Sequence, residues 1–217
     1  GFNEYYPSQE DYMYAVAEAL AVEYNAIVEA GFLLQVDDPF LPHVYMDRSL
    51  DEAERLAKAN LFVETVNHSI RGIPPEKIRY HTCYGINQGP RVHEPDLPMM
   101  VNEVLKVNAG AYSFEAGNPR HEHEYHLWEH VTLPEGKLIL PGVITHSSSV
   151  VEHPDYIAER IVRFADRVGR ENVIASTDCG FSSQAIYKTE VENRVVWAKM
   201  QALAEGARIA SGQLWKK

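Results

Sequence analysis

Cysteine is scarce in this sequence, because Cys83 and Cys179 are the only two among 217 residues. Secreted proteins that rely on disulfides generally contain more, so the composition favours a reducing cytoplasm. Long apolar runs are missing too, and none approaches the roughly 18 residues that would predict a membrane-spanning helix. Residues 1–6 contain neither the basic nor the apolar stretch of a signal peptide, and the missing initiator Met indicates that the chain begins partway through a longer product.

Positive charge is also in short supply. There are 20 Lys and Arg residues against 31 Asp and Glu residues, which gives a net charge of −11 at pH 7. Because a negative surface is repelled by phosphate backbones, a nucleic-acid partner is not expected. No glycine-rich nucleotide-binding loop follows any strand, and no repeat or linker divides the chain. We therefore interpret the chain as a single domain.

Helical and strand-like segments alternate along this domain. Apolar residues recur every three or four positions in the helical segments, for example at Ile157, Ile161 and Phe164. The predicted helices are residues 10–30, 49–67, 96–108, 154–168 and 190–210. The predicted strands are residues 32–36, 77–84, 111–115, 138–146 and 173–180. Strands separated by helices pair in parallel through right-handed crossovers, so the predicted fold class is α/β.

Each predicted strand ends at residues that are capable of chemistry. These residues are Asp37, His81 with Cys83, Glu115, His146, and Asp178 with Cys179. Active sites of (β/α)8 TIM barrels are built from the ends of many strands, whereas a doubly wound sheet concentrates them at one switch point. The chain supplies five βα units of the eight in a barrel. We therefore predict that residues 1–217 are the C-terminal part of a TIM barrel, whose missing strands come from an upstream segment or a second chain.

Four of the strand-end residues form a candidate metal site. His81 and Cys83 lie two residues apart on one strand, so their side chains leave the same face. Imidazole and thiolate are typical zinc ligands, and Glu115 and Cys179 end two other strands. The residues alone also allow another interpretation, in which both cysteines are buried core residues and the histidine is hydrogen-bonded to backbone.

Five short motifs, in chain order, resemble one known family. They are residues 35–39 (Gln-Val-Asp-Asp-Pro), 81–84 (His-Thr-Cys-Tyr), 114–115 (Phe-Glu), 141–147 (Pro-Gly-Val through His-Ser) and 178–180 (Asp-Cys-Gly). Together they are similar to the C-terminal catalytic barrel of the cobalamin-independent methionine synthases, in the superfamily that includes uroporphyrinogen decarboxylase and the epoxyalkane–coenzyme M transferases. Two positions depart from the family pattern, since Asp38 replaces a Glu and Ile144 replaces an Asp two residues before the histidine.

This resemblance implies a zinc-dependent methyl- or alkyltransferase of methionine biosynthesis that uses a small-molecule thiol and an alkyl donor. The zinc ligands that it implies are His81, Cys83, Glu115 and Cys179. It further implies that Asp37 binds the amine of a homocysteine-like substrate and that His146 donates a proton to the leaving group, with Asp178 as a second catalytic residue. Among the neighbouring residues, Arg120 could bind a carboxylate or sulfonate, and Ser147 could donate a hydrogen bond to substrate.

The chemistry of a sulfur-rich site favours alkyl transfer over hydrolysis. A free thiol has a pKa of about 8.5 and is mostly protonated at neutral pH, whereas a zinc-bound thiol is deprotonated. Two alternatives remain open: a metal-independent lyase or decarboxylase that uses Asp37, Arg120 and His146, and a subunit that is inactive without a partner chain. The His- and Glu-rich residues 118–130 are interpreted as a solvated lid, or as a second metal site with His126 and His130 on one helical face.

Overall fold

The computed structural model describes residues 3–85, 91–182 and 191–216. Its helices are α1 (Gln9–Glu29), α2 (Phe40–Met46), α3 (Glu52–Ser69), α4 (Val101–Val104), α5 (Pro154–Val168) and α6 (Asn193–Leu214). Its strands are β1 (Leu34–Asp38), β2 (Ile78–Thr82), β3 (Ala111–Phe114), β4 (Leu138–Ile144) and β5 (Ser176–Thr177). Short 3-10 helices cover Pro75–Lys77, Leu97–Met99, Glu122–Glu129 and Arg170–Asn172.

All five strands are parallel and lie in the order β1-β2-β3-β4-β5, so each strand pairs with the next one along the chain. A doubly wound sheet would reverse its strand order at a switch point. A sequential order is instead that of a barrel segment. The α/β prediction is therefore confirmed, and the carboxyl ends of all five strands lie along one edge of the sheet.

The two faces of the sheet differ most clearly on β1. Leu34 and Val36 are buried in the main hydrophobic core, whereas Gln35 and Asp37 between them are exposed. This alternation follows from the two-residue period of a strand. It places Asp37 on the open face of the sheet, in register with His81 on β2.

Helix ends follow the local sequence signals. The Ser8 hydroxyl accepts the Asp11 backbone N–H at 3.0 Å and caps α1. Pro154 is the first residue of α5, where its missing N–H costs no hydrogen bond. Gly169 ends that helix at a φ of 91°, a conformation that favours glycine.

Helix α2 lies where the sequence pattern predicts no helix, and it contains Pro42, a residue that usually breaks helices. Pro42 instead lies in the first turn, where backbone N–H groups have no partner within the helix. The Asp38 carboxylate accepts the free N–H groups of Phe40 and Leu41 at 2.7 and 3.1 Å. Asp38, one of the two departures from the family pattern, therefore stabilises the N-terminus of this helix.

Several predicted boundaries are wrong. The helix predicted over residues 96–108 is reduced to the 3-10 turn Leu97–Met99 and the single turn α4. Phe32 and Leu33, expected in a buried strand, precede β1 and are exposed. The strand predicted over residues 173–180 contains only the two residues of β5 and an isolated bridge at Val173. The predicted start of the last helix at Glu190 lies outside the described residues.

A helix that crosses a bilayer must be both long and strongly apolar. Within residues 3–85, 91–182 and 191–216, no helix meets both requirements.

Candidate metal and acid–base site

His81, Cys83 and Cys179 come together at the carboxyl edge of the sheet. His81 lies on β2, Cys83 follows the end of that strand, and Cys179 follows β5. The two cysteines are free thiols whose Sγ atoms lie 3.5 Å apart, although 96 residues separate them in the chain. One ligand atom from each of the three side chains lies within 4.8 Å of the others. The structure therefore brings together three of the four predicted zinc ligands as one compact group.

The His81 ring is held in a way that suits a metal ligand. Its Nδ1 atom contacts the Ser113 hydroxyl at 3.0 Å. Its Nε2 atom is buried and has no hydrogen-bond partner among the described residues. Metal-binding histidines characteristically use one ring nitrogen for the ion and the other for an orienting hydrogen bond. One nitrogen and two thiols are a donor set that zinc prefers, so these residues fit the ion.

The two thiols are electrostatically different. A hydrogen bond from Cys179 lowers the pKa of Cys83 to about 4 against the opposing effect of burial, and the His81 ring and the Gly85 backbone N–H act in the same direction as Cys179. The pKa of Cys179 is raised, mainly by the same sulfur–sulfur contact and to a smaller extent by burial. Thiolates are the form that binds metals, so the surroundings of Cys83 favour the metal-binding form of this thiol.

Glu115 belongs to a second buried group, together with His146 and Asp178. Its Oε2 atom accepts hydrogen bonds from Arg91 at 2.6 Å and Asn118 at 2.8 Å. Its Oε1 atom is buried without a hydrogen-bond partner in the described part of the chain. Burial and then the charge of Asp178 raise the pKa of Glu115 to about 7, although Arg91 opposes this. The unpartnered Oε1 atom leaves Glu115 available as a ligand, although the structure places it in this second group and not with His81, Cys83 and Cys179.

Asp178 is fully buried, and hydrogen bonds occupy both of its carboxylate oxygens. They accept the backbone N–H groups of Ala116 and Gly117 at 2.9 and 2.6 Å and the Asn118 amide at 3.0 Å. Gly142 permits this arrangement, because a Cβ atom there would lie 2.1 Å from Asp178 Oδ1. In this structure Asp178 joins the end of β5 to the turn after β3, and its catalytic role stays a prediction.

His146 is buried just beyond the end of β4. The backbone N–H of the preceding Thr145 donates to the Glu152 carboxylate at 2.9 Å, and this carboxylate pairs with Lys199 of α6. The Ser147 hydroxyl contacts the Thr145 hydroxyl at 2.8 Å. The segment that carries His146 is therefore tied to α6 through Glu152 and is braced internally by the contact between the two hydroxyls.

The predicted substrate-binding residues lie outside both groups. Asp37 is exposed at the end of β1, and its carboxylate accepts a hydrogen bond from Gln35 at 2.7 Å. Arg120 keeps about a third of its side chain exposed, and its Nε atom lies 3.7 Å from a Glu94 carboxylate oxygen. Both side chains retain solvent-accessible surface, so both can contact a small molecule.

Residues 118–130 are only partly solvated. His121, Glu124 and Trp128 are buried, so the prediction of a solvated lid is wrong for them. His126 is exposed and contacts Glu129 at 2.8 Å. The structure forms two groups of potential metal ligands in the described residues, and neither includes a histidine of this segment.

Two charged residues that support the site were not predicted from the sequence, namely Arg91 and Arg160. Arg160 of α5 is buried and donates to the backbone carbonyls of Gly117 and Val143 at 2.8 and 3.0 Å. It thereby fixes the turn after β3 against β4. In the sequence it follows the helical pattern of α5 as an ordinary charged residue, so no signal marks its role.

Comparison with known proteins identifies consistent relatives. The family model described as "Cobalamin-independent synthase, Catalytic domain" matches residues 3–202. The methionine synthase of Sulfurisphaera tokodaii is 24% identical over 217 residues, which cover 100% of this chain and 54% of that protein. The methionine synthase of Saccharolobus islandicus is also 24% identical, over 100% of this chain and 56% of its own length.

A similar solved structure is that of a B12-independent methionine synthase from Shewanella in complex with selenomethionine. It matches with a TM-score of 0.72 and 23% identity, covering 98% of this chain and 58% of that chain. This structural likeness supports the fold, a partial barrel of the TIM type. The chain spans little more than half the length of each of these relatives.

Proposed function

The chain belongs to the cobalamin-independent synthase catalytic-domain family, and on that premise we propose that the whole protein transfers a methyl group to the sulfur of a small-molecule thiol. The proposed cofactor is zinc, bound by His81, Cys83, Cys179 and Glu115. The observation that carries the proposal is the compact group of two thiols, 3.5 Å apart, and the His81 ring. The His81 Nε2 atom and the Glu115 Oε1 atom are buried without hydrogen-bond partners among the described residues.

Zinc, when bound, lowers the pKa of a substrate thiol so that the thiol reacts as its thiolate. The chain's own residues bind the substrate and supply a proton. The exposed Asp37 binds the ammonium group of an amino-acid thiol, and Arg120 or Ser147 binds its carboxylate. A sulfur–carbon bond forms while the bond from the methyl carbon to the donor's nitrogen or oxygen breaks. His146 gives a proton to that leaving atom.

We also propose that residues 1–217 form the C-terminal part of a barrel whose other strands come from an upstream segment or a second chain. Five strands in sequential order and matches over little more than half of each relative support this. Two free thiols with Sγ atoms 3.5 Å apart are typical of a reducing compartment, which supports a cytoplasmic location. The similarity to methionine synthases supports a role in methionine biosynthesis.

Metal content tests the proposed site directly. About one zinc per chain is expected by elemental analysis of the whole protein, and Cys83→Ser, Cys179→Ser and His81→Gln should each lose it. His126→Gln is the matched control, because His126 is an exposed histidine paired with Glu129. Zinc content that is unchanged in both cysteine variants would refute the site, and turnover that persists without metal would favour the lyase alternative.

The role of His146 is tested by methyl transfer from a methyl donor to homocysteine. His146→Gln should slow turnover by ~10²–10⁴-fold, the usual contribution of a general acid, while zinc content stays the same. Zinc K-edge spectroscopy provides a second measurement, since the substrate thiol should add one sulfur ligand. A zinc shell that stays unaltered with every active thiol would exclude thiol activation by the metal.

A further inference from the structure

One oxygen of Glu115 is fixed and the other is available. Arg91 Nη2 and Asn118 Nδ2 both donate to Oε2, at 2.6 and 2.8 Å, whereas Oε1 is buried without a partner in the described residues. A carboxylate held by one oxygen can rotate little about its last side-chain bond. Its free oxygen is therefore presented in one direction.

Arg91 is itself anchored by a carboxylate. Its Nε atom donates to Glu94 Oε1 at 2.5 Å, while its Nη2 atom reaches Glu115. The other Glu94 oxygen lies 3.3 Å from His121 Nε2, and His121 Nδ1 lies 3.1 Å from Glu124. Acidic and basic side chains alternate in this series, and we call Glu115, Arg91, Glu94, His121 and Glu124 the ion chain.

The ion chain ends on the backbone. Glu124 accepts the N–H of Leu97 at 3.0 Å, and the His121 ring stacks on Tyr84 with 4.6 Å between the ring centroids. His121 and Glu124 are buried, and Arg91 and Glu94 have side chains only 14% and 9% exposed. A series of paired charges with so little contact with water is screened weakly, so each member restricts the position of the next.

We propose that Arg91, held by Glu94 and His121, is a positioning residue that presents Glu115 Oε1 to the metal. His121 and Glu124 of residues 118–130 then hold the metal site in place through Glu94 and Arg91, in addition to any contact of this segment with substrate. This inference rests on the metal site of the proposed function, although it is independent of which group is transferred. Partners that orient a metal ligand typically contribute 10–100-fold to metal affinity.

The guanidinium group is essential to this arrangement. It donates from Nε to one carboxylate and from Nη2 to another in a single plane, whereas a lysine ammonium is a single point charge on a flexible stem. Arg91→Lys should therefore behave almost like Arg91→Met. Glu94→Gln keeps the shape of the anchor and removes its charge, so it should give a smaller loss.

The experiment measures the zinc dissociation constant of the whole protein by competition with a chromogenic chelator. Arg91→Met and Arg91→Lys should weaken zinc binding by ~10–100-fold. The matched control is Arg167→Met, because Arg167 makes a two-nitrogen pair with Glu129 of the same segment, outside the ion chain. Zinc affinity in this control should equal that of the wild type.

The unfolding temperature of the metal-free protein separates positioning from general destabilisation. Positioning predicts weaker zinc binding at an unchanged unfolding temperature in Arg91→Lys, and a changed visible spectrum when Co²⁺ replaces zinc. Unchanged zinc affinity in both folded Arg91 variants would overturn the inference, and so would a wild-type protein that binds no metal. If zinc affinity falls as expected but no methyl transfer occurs, the inference stands and the proposed reaction fails.

Discussion

The buried ion pair between Lys199 and Glu152 should make a large contribution to stability. The Lys199 side chain is 0% exposed and that of Glu152 is 8% exposed. Lys199 Nζ donates to both Glu152 oxygens, at 3.1 and 2.9 Å, and to the Val150 carbonyl at 2.5 Å. The same carboxylate accepts the Thr145 N–H, directly before His146. One lysine of α6 therefore holds the whole segment that follows β4.

Lys199→Met removes the charge and keeps most of the side-chain length. Among the described residues, it leaves the buried Glu152 carboxylate with the Thr145 N–H as its one remaining hydrogen-bond donor. Removal of one partner from a buried pair costs about 3–5 kcal/mol, because the other charge stays away from water without compensation. We expect a loss of about 3 kcal/mol, at the lower end, since Glu152 is partly accessible to solvent.

The assay is urea unfolding of the whole protein, followed by tryptophan fluorescence. Glu152→Gln keeps an acceptor for the Thr145 N–H. In the Lys199→Met/Glu152→Gln double variant, the loss in free energy of unfolding should be smaller than the sum of the two single losses, by about 1 kcal/mol or more. Arg208→Met on the same helix is the control, because its pair with Glu205 is exposed, and no measurable change is expected. A Lys199→Met protein within about 1 kcal/mol of the wild type, or strictly additive single variants, would refute the reasoning.

Two further predictions concern pH and backbone packing. Burial opposes protonation of His121, but its two glutamate partners raise its pKa from 6.5 to about 9. Protonated His121 therefore stabilises the folded protein fully below pH 6.5, and this stabilisation is lost as the pH rises to 9. The loss is at most about 3 kcal/mol. In urea titrations between these pH values, His121→Asn should show a flatter dependence than the wild type, and an equal slope would contradict the assignment. Gly142→Ala places a Cβ atom 2.6 Å from Asp178 Cα, so it should destabilise the protein by about 1–3 kcal/mol or more. At Gly212, a Cβ atom would meet nothing within 4 Å, so Gly212→Ala should be neutral or stabilising. Equal stability of these two alanine variants would show that the close contact is unimportant.

The regular elements could be predicted because their signals are local. Ile157, Ile161 and Phe164 recur on one face of α5 and are buried as that pattern predicts. Residues 97–104 show similar apolar spacing, yet only one turn of α-helix forms there. Buried Glu103 takes part in a long-range contact, accepting a hydrogen bond from Tyr45 across 58 residues. Periodicity describes burial, but it does not describe contacts between distant segments.

The candidate ligands could also be predicted from local signals, whereas the charged residues that hold them in place could not. Strand ends gather at one edge of a parallel sheet, so the positions of His81 and Cys83 carried information about their neighbours. Arg91 and Lys199 lie outside the strands, and the long side chain of each reaches a carboxylate that is 24 or 47 residues away in the chain. Such contacts depend on the packing of whole elements, which single-residue patterns do not contain.

The separation of the two thiols along the chain also affects the unfolded state. An ion bound to both Cys83 and Cys179 is a cross-link that closes a loop of 96 residues. In the chain-entropy model, a permanent closure of that length disfavours the unfolded ensemble by about 4–5 kcal/mol. Since the ligands come from three different strands, any unfolding that separates those strands also releases the ion. With zinc at the proposed site, metal occupancy and cooperative folding of the sheet would be coupled, and the free metal concentration would set the apparent stability of the domain.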